Sequence, residues 1–421
     1  MGNNIFGLLV TIIEYVVMAL FAYQFVYFLI ALFKRGKRYR AHGFHKYAFL
    51  IAARNEEAVI ANLIKSIQNQ NYPGQYYRIF VVADNCTDGT AQAARDAGAN
   101  VYERFNEEES GKGYALKYLF SVIERDYGFD AFEGYLIFDA DNLLDARYLR
   151  EINKLFDNGF EIITSMRNSK NYGSNWISAC TGLWFIKEAK LLNKPRFDCG
   201  LSCTVSGTGY LMSAEIVKET GGWNYFLLTE DMEFSIDQIT RGRKIAYCDK
   251  AIFFDEQPLS FLDSWNQRLR WTKGFYQVVG KYGRTLFKQM FTRPSFTCYD
   301  QLIILTPGYL FLICAVLVFI FTGLQTSFAQ PDFTYTLAWT VFNAMVSSYF
   351  MFFLMGLATA LKEWKNIYTT SFRKILYLFA FPIFIFTYVP LTVIGLFAKV
   401  KWKKIHHTVN ISNEEMEKHR Y

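Results

Sequence analysis

The feature that most constrains this chain is an apolar stretch at residues 5–33, followed at once by basic side chains. A helix rises about 1.5 Å per residue, so about 20 apolar residues cross a bilayer, and this stretch is long enough. The basic residues after it are Lys34, Arg35, Lys37, Arg38 and Arg40, and none precedes it. Because basic flanks stay in the cytoplasm, the pattern predicts an external N-terminus and a cytoplasmic chain from Arg40 onward. A cleaved signal peptide would need a basic start and a shorter apolar core.

Further apolar stretches near residues 300–322 and 334–361 predict two more spans, joined by an external loop without Lys or Arg. A last stretch, residues 375–398, has basic residues on both sides and contains Pro382 and Pro390. Two cytoplasmic flanks and two prolines favour a re-entrant or broken hairpin. An ordinary span with an external basic tail is the alternative.

Along its whole length, the sequence predicts five segments. Residues 1–40 are an N-terminal transmembrane helix with a basic cytoplasmic flank, and residues 41–275 are a cytoplasmic α/β domain. In residues 276–299, aromatic and basic side chains alternate as in an amphipathic helix on the inner leaflet. Residues 300–400 supply the C-terminal membrane or channel helices, and residues 401–421 a cytoplasmic tail.

The composition excludes several other classes. The formal charge of +7 comes from Lys and Arg residues that gather beside the apolar spans, so no nucleic-acid partner is expected. The seven cysteines include no C-x-x-C pair and are odd in number, which argues against a disulfide framework and a zinc site. No G-x-G-x-x-G follows the first strand and no P-loop sequence occurs, so a dinucleotide oxidoreductase and a P-loop NTPase are disfavoured.

The cytoplasmic domain alternates short β-branched runs with helical patterns, which predicts a parallel sheet with crossover helices. Strands are expected at residues 47–52, 78–83 and 135–138, with a first helix beginning near Glu56. In such sheets, ligands bind beyond the carboxyl ends of the strands. Polar residues follow each of these strands, among them Glu56, Asp84, Asp139 and Asp141. The sequence therefore predicts a carboxylate-rich rim.

Asp139 and Asp141 are two residues apart at a strand end, so their side chains leave the same face. Two converging carboxylates are costly unless they share a proton or a hard cation such as Mg²⁺ or Mn²⁺. That ion would make a nucleotide diphosphate a better leaving group. An Asp-rich turn is the alternative interpretation of the motif. A glycine-flanked Lys112 just before a helix would attract phosphate, or belong to a surface turn.

Two later motifs have both structural and chemical interpretations. Thr229-Glu230-Asp231 opens a predicted helix, so Thr229 or Asp231 could cap it; a carboxylate there could also remove a proton from an acceptor hydroxyl. Gln267-Arg268-Leu269-Arg270-Trp271 places the first, fourth and fifth residues on one helical face. These could hold pyrophosphate and stack on a sugar, or form an ordinary juxtamembrane helix.

Together, and in this order, the motifs resemble those of the processive membrane glycosyltransferases of family 2, the cellulose, hyaluronan and poly-N-acetylglucosamine synthases. The resemblance covers roughly residues 46–275 and implies a GT-A, Rossmann-like cytoplasmic domain inserted between transmembrane helices. It implies a multi-pass plasma-membrane enzyme that polymerises a UDP-sugar with inversion and moves the growing polysaccharide across the bilayer. The implied general base is Asp231, and the implied metal ligands are Asp141 and Asp139.

The resemblance also assigns the remaining site residues. It implies nucleotide or donor contacts by Glu56, Asp84, Lys112 and Asp139, and acceptor or diphosphate contacts by Glu230, Gln267, Arg270 and Trp271. UDP-glucose, giving a β-glucan, is favoured over UDP-N-acetylglucosamine; the sequence specifies neither the linkage nor the polymer length. The single N-terminal span leaves room for a homo-oligomer or an accessory export subunit. The alternatives are a non-processive transferase that adds one sugar to a lipid carrier and a catalytically silent membrane scaffold.

Overall fold

Apolar runs that alternate between two buried faces build the central sheet. Ala48 and Leu50 of the first strand pack on one side of it, whereas Tyr47, Phe49 and Ile51 pack on the other. Such a strand must be covered on both faces, as in α/β proteins. In the computed structural model of the chain, residues 2–34, 36–292, 295–326, 331–400, 409–411 and 415 are described.

The strands of the described chain are β1 (Tyr47–Ala53), β2 (Tyr77–Asp84), β3 (Asn100–Arg104), β4 (Gly134–Asp139), β5 (Leu143–Leu144), β6 (Ile162–Ser169), β7 (Tyr210–Ser213) and β8 (Ile245–Asp255). The α-helices up to the last strand are α1 (Gly2–Phe33), α2 (Ile60–Gln68), α3 (Thr90–Asp96), α4 (Lys112–Tyr127), α5 (Tyr148–Phe156), α6 (Trp176–Lys187), α7 (Lys194–Asp198), α8 (Ala214–Thr220) and α9 (Glu230–Thr240). After β8 come α10 (Phe261–Thr292), α11 (Phe296–Leu305), α12 (Pro307–Thr326), α13 (Pro331–Lys362), α14 (Ser371–Phe386) and α15 (Tyr388–Phe397).

The sheet has the order β3-β2-β1-β4-β7-β6-β8-β5 and is mixed. β3, β2, β1 and β4 are parallel, and β6 is parallel to β8, but β7 runs antiparallel to both β4 and β6. The predicted parallel arrangement holds for the three predicted strands, which lie within one residue of β1, β2 and β4, whereas the antiparallel β7 makes the sheet mixed. After the helical segments that follow β6, a turn with positive φ at Gly207 and Gly209, 79° and 66°, leads directly into β7.

Helices cover both faces of the sheet. Apolar residues of α2 and α5 fill one core, and those of α4 and α6 fill the other. The first helix begins at Ile60 rather than near Glu56, because residues 56–59 form a turn at the sheet edge. This arrangement confirms the predicted GT-A-like α/β fold and leaves the carboxyl ends of β1, β2, β4 and β8 uncovered by these helices.

Within the described ranges, three helical segments are long and apolar enough to cross a membrane, namely Thr11–Phe33, Asp332–Lys362 and Ser371–Phe397. The span predicted at residues 300–322 is not one helix, because α11 ends at Leu305 and α12 begins at Pro307. Proline lacks an amide donor and restricts the residue before it, so Thr306 becomes the break. In addition, α11 is anchored by its Asp300, which forms a buried ion pair with Arg196.

In the last apolar stretch neither proline ends a helix. Pro382 lies inside α14 and Pro390 inside α15, and the two helices are separated by Thr387. The re-entrant or broken hairpin at residues 375–398 stays a prediction. Helix α10 runs unbroken through the predicted boundary at residues 275 and 276, so the site helix and the predicted interface segment are continuous. Of the predicted tail at residues 401–421, only 409–411 and 415 lie within the described residues.

Candidate active site

A cavity of about 540 Å³ opens at the carboxyl edge of the sheet. All ten predicted site residues line it: Glu56, Asp84, Lys112, Asp139, Asp141, Glu230, Asp231, Gln267, Arg270 and Trp271. They come from strand ends and from helices that lie far apart in the chain, from Glu56 to Trp271. The structure thus brings the predicted set together, whereas the individual roles stay predictions.

The wall beyond β2 centres on a buried ion pair that sequence reasoning missed. Asp84, only 4% exposed, accepts a hydrogen bond from Nη1 of Arg104 at 2.6 Å. The two residues are opposite each other in the β2–β3 register, and Arg104 also pairs with Glu109. A buried carboxylate of this kind requires a cation, so Arg104 fixes Asp84 at the cavity wall. The sequence signal that could have identified this ion pair is Arg104 itself, a basic residue at the end of β3.

Lys112 lies at the first turn of α4 and connects three parts of the cavity. Its Nζ forms an ion pair with Asp139 and donates to the carbonyl oxygen of Gly207 at 2.7 Å. Burial lowers the pKa of Lys112, but Asp139 and Glu230 raise it more, so its net pKa is above the ordinary value. Lys112 is therefore protonated at neutral pH, beside the N-terminal amides of α4, where an anion is favoured.

A second ion pair, which sequence reasoning also missed, lies next to the D-x-D motif of Asp139 and Asp141. Arg167, on β6, forms an ion pair with Asp255 at the end of β8. Asn142 donates to Oδ1 of Asp255 at 2.9 Å, and Asp141 Oδ2 accepts from the amide of Glu256 at 3.1 Å. Burial, followed by the nearby Asp141 carboxylate, raises the pKa of Asp255 to about 6 although Arg167 lowers it. The sequence signal that could have identified this pair is the position of Asp255 at the end of a strand.

A divalent cation fits this donor set only with help from a substrate. Asp139 and Asp141 offer carboxylate oxygens to the cavity, but the described ranges contain no group of three His, Cys, Asp or Glu residues arranged around one ion. Mg²⁺ is commonly bound by one or two carboxylates together with substrate phosphates. The carboxylates of the D-x-D motif therefore suit a metal that enters with a diphosphate.

Glu230 and Asp231 open α9 at the opposite wall. The side chain of Thr229 makes no cap hydrogen bond, and its buried Oγ1 has no partner among the described residues, so the capping interpretation of Thr229 is not supported. Burial raises the pKa of both acidic residues, that of Glu230 to about 7, while Lys112 and Arg270 lower both. A carboxylate with a raised pKa is a stronger base, which suits proton removal near neutral pH.

Three residues of the α10 motif, Gln267, Arg270 and Trp271, line the cavity. Arg268 points elsewhere and donates through Nη1 to the carbonyl of Phe384 at 3.3 Å, near the junction of α14 and α15. The ring of Trp271 meets Phe185 edge-on at a centroid distance of 5.7 Å. Helix α10 therefore contacts both the cavity and α14.

Sequence reasoning also missed two further contributions to the cavity wall. Trp184, Phe185 and Glu188, at the end of α6, line the cavity, as do residues 398–400 after α15. The helix pattern of α6 is apolar all round, which gave no indication of a cavity-facing side. Residues 398–400 come from the far end of the chain, and nothing local in their sequence indicates their position.

The family model described as glycosyltransferase-like family 2 matches residues 45–274. The probable glycosyltransferase YdaM of Bacillus subtilis (strain 168) is 26% identical over 251 residues, 58% of this chain and 58% of that protein. Beta-monoglucosyldiacylglycerol synthase of Nostoc sp. is 26% identical over 280 residues, covering 62% of this chain and 55% of that protein. Poly-beta-1,6-N-acetyl-D-glucosamine synthase of Staphylococcus epidermidis is 23% identical over 243 residues, 55% of each chain. The chain spans between 55% and 58% of the length of these relatives.

Among solved structures, the mannosyltransferase PcManGT of Pyrobaculum calidifontis, determined with GDP-Man and Mn²⁺, has a TM-score of 0.59 at 16% identity. The match covers 93% of this chain and 99% of that one, and at this identity it speaks for the fold alone. Because the family model covers more than half of the 421-residue chain, the chain belongs to the glycosyltransferase-like family 2.

Proposed function

We propose that the chain is a membrane-embedded, inverting glycosyltransferase that polymerises sugar from a UDP-sugar and passes the polysaccharide across the plasma membrane. The observation that carries the proposal is the position of Asp231, in one cavity with the D-x-D carboxylates, Lys112 and the α10 face. UDP-glucose stays the favoured donor and UDP-N-acetylglucosamine the alternative. The predicted orientation, with a cytoplasmic catalytic domain, and the predicted oligomer or export subunit belong to this proposal.

In the proposed reaction, Lys112 and Arg270 hold the donor diphosphate, and Glu56 and Asp84 line the side where the nucleoside lies. Mg²⁺ or Mn²⁺ held by Asp139 and Asp141 would neutralise charge on the departing diphosphate. Asp231 removes the proton from the acceptor hydroxyl as that oxygen attacks the anomeric carbon. The attack comes from the side opposite the departing nucleotide, so an α-linked donor gives a β-linked product.

The proposal is tested with the full chain in nanodiscs, supplied with Mg²⁺ or Mn²⁺ and radiolabelled UDP-glucose or UDP-N-acetylglucosamine. We expect a high-molecular-weight product from one donor, sensitive to a linkage-specific glycanase and absent with Asp231→Asn. A single labelled lipid as the product would overturn polymerisation. That second candidate, transfer of one glucose to a lipid, is favoured by the similarity to beta-monoglucosyldiacylglycerol synthase.

Replacing Lys112 with methionine is expected to weaken donor binding about 10- to 100-fold. A hydrogen bond to a charged group contributes about 1.5–3 kcal/mol, and the substitution also leaves Asp139 without its cation. Titration calorimetry with UDP and Mg²⁺ measures the change. Lys117→Met is the matched control, since Lys117 lies one turn further along α4 over the ring of Phe226. Equal affinities for Lys112→Met and the unmodified chain would contradict the phosphate role.

The rate of transfer is expected to depend on pH through the two acidic residues of α9. Asp231 must be ionised to accept a proton, and its pKa is raised by burial, so the rate rises as pH increases through that raised pKa and then levels off. The charge of Asp231 helps burial to raise the pKa of Glu230 to about 7, so Glu230→Gln removes a second titration near neutral pH from the profile. A pH–rate profile of both forms measures the difference; coincident profiles would exclude a contribution of Glu230.

A further inference from the structure

Glu188 is a cavity residue that the proposed chemistry does not use. It lines the same cavity as Asp231 and Trp271 and is half-buried. Within the described residues, its carboxylate has neither a hydrogen-bond partner within 3.5 Å nor an ion-pair partner within 4.0 Å. A carboxylate removed from bulk water requires hydrogen-bond donors, so a ligand that supplies them would be stabilised here.

Glu188 is the first residue of a helical segment with an uncommon backbone conformation. Helix α6 ends at Lys187, and residues Glu188–Asn193 continue as a π-helix. Such wide turns are rare and occur frequently at functional sites. The preceding Lys187 is held over the ring of Trp184 at 4.0 Å, and the π-helix leads directly into α7, which Arg196 anchors to Asp300. Glu188 is therefore presented from a rigid segment.

The charges around Glu188 separate it from the donor diphosphate. Burial raises its pKa, Lys187 and Arg196 lower it, and the negative charge of Asp231 raises it further. A third carboxylate near Asp231 would repel a diphosphate but can accept hydrogen bonds from hydroxyl groups. Glu188 therefore suits the uncharged, hydroxyl-bearing substrate whose proton Asp231 removes.

The rings beside Glu188 indicate the kind of hydroxyl compound. Phe185 and Trp271 line the cavity and meet edge-on, whereas the ring of Trp184 is stacked on Tyr388 and has Lys187 over it. Aromatic faces pack against the apolar face of a sugar ring, whereas a carboxylate accepts from its hydroxyls. Acyl chains packed here would leave the Glu188 carboxylate without donors, which is costly.

We propose that Glu188 binds the acceptor, and that this acceptor is a sugar ring rather than a diacylglycerol. The inference rests on the proposed function, because it concerns the second substrate of the same cavity. Asp231 takes the proton of the attacking hydroxyl, Glu188 accepts a hydrogen bond from a neighbouring hydroxyl, and Trp271 supports the ring. Glu188 then selects acceptors with several adjacent hydroxyl groups.

The test uses the full chain in nanodiscs with Glu188→Ala, Glu188→Gln and a control, Glu215→Ala, at an exposed position of α8. Cello- and chito-oligosaccharides are the acceptor probes, and vesicles containing diacylglycerol are the competing probe. Glu188→Ala is expected to raise the acceptor KM about tenfold or more and Glu188→Gln about threefold, because glutamine retains an acceptor oxygen. The donor KM is expected to stay within about twofold.

Several outcomes would overturn the inference: an unchanged acceptor KM, a parallel loss of donor binding, or stimulation by diacylglycerol and by no oligosaccharide. Quenching of tryptophan fluorescence by the oligosaccharides provides an equilibrium readout that needs no turnover. Quenching that is lost in Glu188→Ala supports the site even if no UDP-sugar reacts, in which case only the proposed function fails. Without quenching in the unmodified chain, the acceptor site itself is excluded.

Discussion

Asp231→Asn is expected to lower the rate of sugar transfer by about 10²- to 10⁴-fold, the usual contribution of a general base. Asparagine has nearly the same shape, so the N-terminus of α9 and its backbone bonds, such as that from Ser235 Oγ to the Asp231 carbonyl at 2.8 Å, remain. What disappears is the proton acceptor in the cavity that holds the donor. Binding of UDP is therefore expected to stay within about threefold, and the loss to fall on kcat.

Two further variants make this measurement specific. Asp96→Asn changes an exposed carboxylate that accepts a hydrogen bond from Gln92 and should leave transfer unchanged. Glu230→Gln should lose less activity than Asp231→Asn, because Glu230 is assigned to the acceptor or diphosphate and not to proton removal. Radiolabel incorporation at saturating donor gives kcat. If Asp231→Asn retained more than a tenth of the transfer rate, another residue would have to be the base.

Arg196→Met is expected to destabilise the chain by about 3–5 kcal/mol, the usual cost of removing one partner from a buried ion pair. The Arg196 side chain is 1% exposed and that of Asp300 is 0% exposed. The guanidinium forms two hydrogen bonds with the carboxylate, at 2.7 and 3.1 Å. Tyr23 and Tyr27 of α1 donate to the same carboxylate at 2.9 and 3.0 Å. Loss of the cation leaves a buried charge with two neutral donors.

The buried pair connects the α/β domain to α1 and α11, so its loss should also loosen α7 against these two helices. The midpoint of chemical unfolding in nanodiscs, followed by tryptophan fluorescence, measures the effect. Lys218→Met breaks an exposed ion pair with Asp130 and should change stability by less than about 0.5 kcal/mol. Adding Asp300→Leu to Arg196→Met should recover part of the loss, because it removes the unpaired charge. Equal midpoints for Arg196→Met and Lys218→Met would contradict this account.

Most of the cavity residues could be predicted because they lie at the ends of strands or on one face of a helix. Asp84 and Asp139 end parallel strands, and the carboxyl ends of such strands meet at one edge. The grouping of Gln267, Arg270 and Trp271 could be predicted because residues i, i+3 and i+4 share a helical face. By contrast, Arg104 and Arg167 were missed because each acts through a carboxylate that is close only in the folded sheet.

Neighbours along the chain were enough to predict the apolar stretches, the strands β1, β2 and β4, and the order of the motifs. Features that depend on distant partners became visible only in the folded chain. β7, for example, lies antiparallel between β4 and β6, which come from other parts of the sequence. Likewise, Asp300 lies in an apolar stretch whose sequence predicts a membrane span. In the structure, it forms a buried ion pair with Arg196, 104 positions away in the chain. Periodicity reports the local conformation of the backbone, whereas the neutralisation of a buried charge depends on which segments fold against each other.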